Sequence, residues 1–551
     1  MSQSPKASKF LITTFVITIA LAGLTFGNLP GPATLTSIQV VNGTVFNLAD
    51  YPSLTHEQIA AYNYIRGLVE QPYGSWDGWN VGSDVYYLVH YQLAFMAYSI
   101  ARMFEVTSGY RTDYYSDMAY DLIKKMNTTE AEYNETSIES MEWIRPVIGY
   151  SNWTKYYYPD PIHPDGDDIF TGGFRGPANI MWTGHYALME LLYERNFNTG
   201  EFFSEYDWYM HDWNNSLTTD GLGHARESGI WECGLIPCQP YAVWVQCNVI
   251  PLFFTELYDD IHNTSYMESG MWDYGLGFIE ANMTDDHGLY TDEYFVQRPM
   301  GFNQTVGGPV QQFPDKMLDP FVRDGRPIVQ GYGVAWSLLF IEHTNESIVA
   351  QDYPAFLEYY SKEISADQLC MIDTYNCPTK FDEFDMLSNL YTVALAQQRG
   401  DLITRDRIVN FMWFPYNKVW SADGRAMHWD TMAIEPFLQS SMAYGWLWAT
   451  VPVTIKDLGD PRPAEFWGYP YISQADDDRM WVYQAQWDPD KEGFILNVRV
   501  DQTATLTFSN FGSVPTAYSG GRSLAQLTAS GSDYMLTLNP GTYHLVIVAG
   551  G

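Results

Sequence analysis

The stretch GIWECGLIPCQPYAVWVQCN, from Gly229 to Asn248, holds three of the five cysteines in a chain of 551 residues. An apolar run follows Pro240, and because proline is favoured at the first position of a helix, a helix is predicted to begin near this residue. Cys238 would then lie at the helix N-terminus, where the helix dipole favours the thiolate form. Cys238 and Cys247 are therefore candidate catalytic thiols. The alternative is that Cys233, Cys238 and Cys247 supply one disulfide and one buried thiol.

The composition of the chain limits its partners. The chain carries 66 acidic and 29 basic residues, which gives a formal net charge of −37. A chain with this charge repels the phosphates of nucleic acids, so no nucleic-acid partner is expected. At this length the chain can bury a large core and is expected to form two or more domains.

The N-terminus has the features of an export segment. Lys6 and Lys9 precede an uncharged run from Phe10 to Phe26, so residues 1–27 are interpreted as a signal peptide or an N-terminal membrane anchor. Residues 28–54 are rich in Gly, Pro, Thr and Asn and are interpreted as a linker. We therefore expect an extracytoplasmic protein, secreted or anchored to the outer face of the membrane.

Sequons and cysteine spacing agree with export. Cys370 and Cys377 are predicted to form a local disulfide because they lie close together in a loop-like stretch. Asn-x-Ser/Thr sequons predict a glycoprotein. They begin at Asn42, Asn127, Asn134, Asn152, Asn214, Asn263, Asn282, Asn303 and Asn345.

Residues 55–455 show helical periodicity, and many of the segments begin after Asp, Ser or Thr and end at Gly or Asn, as helix capping requires. Twelve helices are predicted, near 55–70, 84–105, 112–126, 176–196, 201–217, 240–260, 265–281, 326–343, 348–366, 384–399, 402–412 and 434–450. Their alternation between more and less apolar segments predicts a mainly α fold, an (α/α)6 toroid that holds the candidate active site. An irregular helical bundle is the alternative.

The C-terminal region changes from helical to alternating periodicity. Residues 465–551 are predicted to form an all-β, sandwich-like domain, because short alternating runs are separated by turn residues. These runs are Met480 to Trp487, Phe494 to Val500, Ala504 to Phe508, Tyr534 to Leu538 and Tyr543 to Val548.

The predicted helix NIMWTGHYALMELLYER carries the histidine of greatest interest. Met181, His185, Leu188 and Leu192 share one stripe of this helix. A single histidine on an apolar stripe is commonly a core residue. In a toroid, however, the stripe of an inner helix faces the central cavity, where histidine can act as an acid or a base.

Aromatic residues are abundant, at 16% of the chain, and could wall such a cavity. Tyr91, Phe95 and Tyr98 share one face of a predicted helix, and Trp336 follows Gly331-Tyr332-Gly333. Aromatic faces can stabilise a carbocation or stack on sugars. The chain has no HExxH motif, glycine-rich phosphate loop or GxSxG elbow, so an enzyme without a cofactor or metal site is expected.

Four stretches together resemble the linalool dehydratase–isomerase family. They are AAYNYIRGLVEQPY with HYQLAFMAY, NIMWTGH, Cys238-Gln239-Pro240 with VQCN, and Gly331-Tyr332 with Val334-Ala335-Trp336. The resemblance covers residues 55–450 and leaves out the all-β region. It implies a toroid that forms homo-oligomers, needs no cofactor, and interconverts an alkene with allylic terpene alcohols.

The resemblance also implies roles for individual residues. The catalytic positions would be His185, Cys238, Cys247 and Tyr73. The substrate-binding positions would be Tyr91, Met181, Tyr332, Trp336 and Gln239.

Two positions depart from the family. The family's carboxylate on the first helix aligns at or next to Arg66, and its Cys-Glu-Pro is here Cys238-Gln239-Pro240. Both changes remove a proton-transfer group. Asp77, Asp84 and Glu232 are candidate substitutes.

Three functions are therefore compared. The first is a lyase or isomerase that acts on a small apolar alcohol or alkene. The second is a secreted glycan-processing enzyme, which needs paired carboxylates. The candidates for such a pair are Asp382, Glu383, Asp385 and Glu435. The third is a surface binding protein with a degenerate site.

Overall fold

The structure is a computed structural model. It describes residues 37–72, 75, 77–79, 88–126, 180–218, 234–236, 242–284, 288–290, 293–295, 322–323, 326–327, 331–371, 386–431 and 438–550. The predicted export segment lies outside these ranges. Among the described helices, none combines the length and apolarity needed to cross a membrane.

The described residues contain twelve α-helices, and each overlaps one of the twelve predicted segments. Two predicted segments are too long, because the one near 265–281 is α-helical only from Asp273, and residues 361–365 of the one near 348–366 form a strand. They are α1 (His56–Val69), α2 (Leu88–Val106), α3 (Asp113–Met126), α4 (Ile180–Phe197), α5 (Phe203–Thr218), α6 (Val245–His262), α7 (Asp273–Asn282), α8 (Gly331–Ile341), α9 (Glu346–Tyr360), α10 (Met386–Gln398), α11 (Leu402–Met412) and α12 (Leu438–Thr450). The prediction of a mainly α fold followed by a β region is confirmed.

Capping explains several helix boundaries. Thr55 and Gln58 form a capping box at the start of α1. The side chains of Asn345 and Asp401 accept hydrogen bonds from the first turns of α9 and α11. Helix α6 ends at Asn263, which takes the left-handed conformation common at helix C-termini.

The even-numbered helices pack in sequence around a closed circuit. Each of α2, α4, α6, α8 and α10 contacts the next even-numbered helix, and α12 contacts α2. Side chains contact one another where these helices pack. The ring of Phe253 in α6 contacts that of Phe340 in α8, and the indole of Trp448 in α12 donates a hydrogen bond to the carbonyl of Phe95 in α2. Among the odd-numbered helices, α1 packs on α12, α3 on α2, α9 on α8 and α11 on α10.

The start of α6 corrects one prediction. Strand β3 (Ala242–Trp244) pairs with β4 (Glu293–Phe295), and α6 begins only after it, at Val245. The helix therefore does not begin near Pro240. Cys247, rather than Cys238, lies in its first turn.

Short hairpins occur between helices. They are β5 (Val322–Arg323) with β6 (Arg326–Pro327), β7 (Ser361–Ser365) with β8 (Gln368–Met371), and β9 (Lys418–Trp420) with β10 (Met427–Trp429). Cys370 is buried in β8, and its predicted disulfide partner, Cys377, lies outside the described residues.

Two antiparallel sheets form the C-terminal region. Their strands are β11 (Tyr471–Ala475), β12 (Met480–Asp488), β13 (Gly493–Val500), β14 (Ala504–Ser509), β15 (Pro515–Ser519), β16 (Arg522–Gln526), β17 (Thr528–Ser530), β18 (Asp533–Leu538) and β19 (Gly541–Ala549). The four-stranded sheet has the order β11-β14-β18-β17 and the five-stranded sheet the order β12-β13-β19-β15-β16. Phe494 and Phe508 meet edge to face between the sheets, with ring centroids 5.4 Å apart. All five predicted runs are strands.

A hairpin covers the outer face of the five-stranded sheet. Strands β1 (Ile38–Val41) and β2 (Thr44–Asn47) pack Val41 and Phe46 against Ile495. Asn42 and Gly43 both have positive φ, as a two-residue hairpin turn requires. Part of the stretch interpreted as a linker therefore belongs to the fold.

The helices and the C-terminal sheets share one hydrophobic core. At the turn after α2, the amide of Gly109 donates to the Ala485 carbonyl at 2.8 Å, and its carbonyl accepts from the amide of Ile472 at 2.7 Å. This backbone pairing attaches the start of the β region to the inner helix α2.

Candidate functional site

His185 is fully buried at the centre of the helical region. It lies on α4, and its ring contacts Tyr91 and Phe95 of α2 at centroid distances of 5.3 and 5.7 Å. On the other side, the indole of Trp336 in α8 lies 5.1 Å away. The aromatic rings that contact this histidine therefore come from α2, the neighbour of α4 in the circuit, and from α8, which lies two positions further along it.

One nitrogen of His185 has a defined partner. The hydroxyl of Tyr98 lies 2.7 Å from His185 Nδ1, and both side chains are fully buried. His185 Nε2 is buried and has no hydrogen-bond partner among the described residues. Burial lowers the pKa of His185 well below its usual range, and the nearby His90 lowers it further. The imidazole is therefore neutral at pH 7.

Phe95 joins the histidine to a larger aromatic cluster. Its ring contacts Tyr391 of α10 at 5.4 Å and Trp448 of α12 at 5.1 Å, both edge to face. Trp336 stacks on Tyr391 at 5.0 Å. We call Tyr91, Phe95, Trp336, Tyr391 and Trp448 the aromatic cluster. Edge-to-face and offset-stacked ring pairs stabilise a core by more than the burial of their apolar surface contributes.

Like His185 Nε2, two polar atoms of the aromatic cluster are buried and have no hydrogen-bond partner among the described residues. They are Trp336 Nε1 and the hydroxyl oxygen of Tyr391. Burial raises the pKa of Tyr391 well above its usual range, so the phenol is neutral. Buried polar groups are normally hydrogen-bonded, and these three exceptions lie on side chains whose rings contact one another, which makes this region the candidate ligand site.

Several buried polar side chains lie near the starts of the even-numbered helices. They are His90, Gln92, Thr183, Gln246, Asn248, Ser388, Asn389, Ser440 and Ser441. One of them adjoins the aromatic cluster, since the ring centroids of His90 and Tyr91 lie 4.0 Å apart.

The first turn of α6 holds Cys247 and an anchoring asparagine. Cys247 is buried. The next residue, Asn248, accepts from the Ile236 amide at 2.8 Å and donates to the Ile236 carbonyl at 3.0 Å. It also donates to the carbonyl of Trp244. The segment that leads to Cys238 is therefore held against the helix that carries Cys247.

Helix α10 carries an asparagine that makes the same pair of backbone hydrogen bonds as Asn248 does in α6. Asn389, the fourth residue of its helix as Asn248 is of α6, accepts from the Met371 amide at 3.0 Å and donates to the Met371 carbonyl at 3.4 Å. Ser388 then occupies the position that corresponds to Cys247 in α6.

The predicted site residues fall into two groups. His185, Tyr91 and Trp336 meet directly, while Cys247 is buried on α6 and Tyr332 packs against the core from the first turn of α8. Met181 lies on α4, one turn before His185, but its side chain is not described. Tyr73, Cys238 and Gln239 lie outside the described residues.

Arg66 does not lie in this region. It is on the outer helix α1, where it pairs with Glu70 at 2.5 Å and lines a surface cleft with Asp117 and Asp477. A carboxylate at this position would face that cleft rather than the aromatic cluster. Of the substitutes considered for it, Asp77 lies in the loop after α1, and Asp84 and Glu232 lie outside the described residues.

Sequence reasoning missed several members of the site. Tyr98 was grouped with Tyr91 and Phe95 but not assigned a role. Tyr391 and Trp448 had no role assigned, although the spacing of four between Tyr444 and Trp448 was a helical signal. No group of three or more metal-ligating side chains occurs within the described ranges.

A comparison with protein families adds an independent finding. Residues 176–313 match the family described as Linalool dehydratase/isomerase. The matched segment contains His185, Cys238 and Cys247, together with helices α4 to α7. The family resemblance inferred from the sequence is therefore confirmed over these residues.

Proposed function

We propose that the protein is a lyase or isomerase like linalool dehydratase/isomerase, which acts by acid–base chemistry without a cofactor. Its substrate would be a small apolar, terpenoid-type alcohol or alkene. The observation that carries the proposal is the placement of His185, which lies in the family-matched segment and is buried among aromatic rings. Such a site suits a substrate that is mostly hydrocarbon with one polar group.

The proposal includes an (α/α)6 toroid. The circuit of contacts among the six even-numbered helices is its inner ring, and the odd-numbered helices form the outer layer. Contacts across the ring support this arrangement, because Phe95 of α2 touches both Trp336 of α8 and Tyr391 of α10.

The chemistry requires two proton-transfer events. Dehydration of an alcohol needs one group to assist the departing hydroxyl and another to remove a proton from the adjacent carbon. His185 and the thiols of Cys238 and Cys247 divide these tasks. The faces of Tyr91 and Trp336 stabilise the carbocation that develops between the two steps. Tyr73, Tyr332, Met181 and Gln239 complete the substrate-binding wall.

The alternative of a glycan-processing enzyme has less support. It requires two carboxylates about 5–10 Å apart across the substrate. Asp382, Glu383, Asp385 and Glu435 all lie outside the described residues. The described side chains in ring contact or hydrogen-bonded with His185 are aromatic, so they do not supply the carboxylates that cleavage of a glycosidic bond requires.

The proposed compartment is extracytoplasmic. Among the described sequons, those at Asn42, Asn214 and Asn263 have an exposed asparagine. Treatment of native protein with an N-glycosidase should lower its mass. An unchanged mass, together with retention in the cytoplasm, would contradict this proposal.

The function is tested by supplying purified protein with a panel of tertiary and primary allylic monoterpene alcohols, and separately with oligosaccharides. Alkene or isomeric alcohol is expected from at least one member of the first panel. His185→Gln should abolish this product while leaving the circular dichroism spectrum unchanged. Sugar release without any terpenoid product would establish the glycan alternative, and no product with either panel would favour the binding protein.

A further inference from the structure

The hydrogen bond between Tyr98 and His185 determines which imidazole nitrogen carries the proton. Tyr98 is fully buried, and His185 Nδ1, at 2.7 Å, is the hydrogen-bond partner of its hydroxyl in the described part of the chain. Each tautomer leaves one buried donor without an acceptor among the described residues: the phenol O–H if Nδ1 is protonated, and Nε2–H if Nε2 is protonated. The acid–base strengths of the two groups decide between them, because a phenol is the more acidic donor and an unprotonated imidazole nitrogen is a far more basic acceptor than a phenol oxygen. The phenol therefore donates to Nδ1, and the neutral ring carries its proton on Nε2.

Among the described residues, the protonated Nε2 is then one of two N–H donors without a partner that lie on His185 and the aromatic cluster. Trp336 Nε1–H is the other, and the two rings lie 5.1 Å apart with an interplanar angle of 44°. The Tyr391 hydroxyl, on the ring stacked against Trp336, supplies an oxygen that can accept a hydrogen bond. All three side chains are at most 2% exposed.

We propose that His185 Nε2–H and Trp336 Nε1–H form a subsite for the oxygen of a neutral ligand, and that Tyr98 is the positioning residue that sets the required histidine tautomer. The preferred ligand group is a hydroxyl. Its oxygen accepts from the two N–H groups, and its proton is donated to Tyr391. This inference rests on the proposed function and deepens it, since it assigns the hydroxyl end of the substrate to one part of the aromatic cluster.

The chemistry of the donors excludes other ligand classes. An ammonium group has no acceptor to offer two N–H donors. A carboxylate would bring a full charge into a region where the groups that contact His185 are neutral and aromatic, and burial of an unpaired charge is strongly unfavourable. The oxygen of a neutral ligand accepts from both N–H groups without bringing a charge into this region.

The assignment also narrows the roles in the proposed reaction. His185, which donates Nε2–H to the substrate oxygen, cannot serve at the same time as the base at the adjacent carbon. That role then falls to another group, for which the thiol of Cys238 or Cys247 is the candidate.

The tautomer is tested by nitrogen NMR on the intact protein labelled with 15N-histidine, with the signals of His185 identified by their loss in His185→Gln. In the wild type, Nε2 should give the signal of a protonated nitrogen and Nδ1 that of an unprotonated, hydrogen-bonded one. Tyr98→Phe should convert this pattern into a mixture of both tautomers. A protonated Nδ1 in the wild type would overturn the inference. Tyr444→Phe is the matched control, since it removes a buried hydroxyl of the same region that does not contact His185, and it should leave the pattern unchanged.

The subsite is tested with a probe pair, linalool and the hydrocarbon of the same carbon skeleton. Linalool should shift the signals of His185 Nε2–H and the Trp336 indole N–H, and the hydrocarbon should not. Trp336→Phe should weaken linalool binding at least several-fold and leave hydrocarbon binding nearly unchanged. Equal loss for both probes would overturn the subsite. If the protein shows the predicted tautomer and the predicted shifts with linalool but no turnover, the proposed reaction is refuted and this inference stands. If it shows turnover but the opposite tautomer, this inference is refuted and the proposed reaction stands.

Discussion

Gly109→Ala should disrupt the junction between the inner helix α2 and the C-terminal sheets. A Cβ added at this position would lie 2.5 Å from Phe494 Cε2 and 3.1 Å from the Ala485 carbonyl oxygen. Phe494 is fully buried and packed against Phe508, so its ring has little room to move. Overpacking of this kind costs about 1–3 kcal/mol. If the backbone shifts instead, the bonds to Ala485 and Ile472 weaken, at about 1 kcal/mol each.

The expected result is a loss of about 2–4 kcal/mol in the free energy of unfolding, measured as a lower midpoint in denaturant. Gly67→Ala is the matched control, because Gly67 is an exposed position within α1 where an added Cβ meets nothing within 4 Å. That change should stabilise the protein by about 0.5–1 kcal/mol, since alanine is the better helix former. An unchanged midpoint for Gly109→Ala would refute the tight junction described above.

Three further predictions concern single residues. Asn248→Ala should lower the free energy of unfolding, measured by denaturant titration, by about 2–4 kcal/mol. The reason is that the amide and the carbonyl of Ile236 each lose a buried hydrogen-bond partner, at a cost of about 1–3 kcal/mol each. A denaturation midpoint equal to that of the wild type would contradict the anchoring role. Burial raises the pKa of Asp477 to about 7, so the folded state binds this proton more tightly than the unfolded state and stability falls as pH rises from about 4 to 7. Asp477→Asn should therefore raise the melting temperature at pH 8 and leave it unchanged at pH 4, and equal shifts at both pH values would count against this assignment. Cys238→Ala should abolish turnover without unfolding the protein, because the proposed reaction uses this thiol for proton transfer; full activity of this variant would remove Cys238 from the mechanism.

Much of the fold could be predicted because its signals are local. Helical periodicity and capping residues located all twelve described helices, and alternation located five strands of the C-terminal sheets. The hairpin formed by residues 38–47 also had a local signal, since Asn42-Gly43 between Val41 and Thr44 is a typical two-residue turn. It was overlooked because the composition of its surroundings suggested a linker.

The start of α6 could not be predicted in the same way. Pro240 is a good first residue for a helix, but residues 242–244 pair instead with a strand about 50 positions further along the chain. Pairing over this distance leaves no trace in the local pattern. The position of Cys247 in the first turn follows from it.

The composition of the site was predictable only in part. His185, Tyr91 and Trp336 were identified from their motifs, and the structure brings them together. Tyr391 and Trp448 lie on helices whose apolar faces are wide, so the sequence does not distinguish the side that faces the centre from the sides that face neighbouring helices. The contact between Tyr98 and His185 depends on the relative register of α2 and α4, which only the packed structure supplies.

The most direct test of the central claim is incubation of the protein in deuterium oxide with a monoterpene alkene, followed by mass spectrometry of the products. If buried acid–base groups around His185 add and remove water, the alcohol formed should carry one carbon-bound deuterium, and His185→Gln should form none. A wild-type protein that yields no alcohol from any alkene and no alkene from any alcohol would contradict the account.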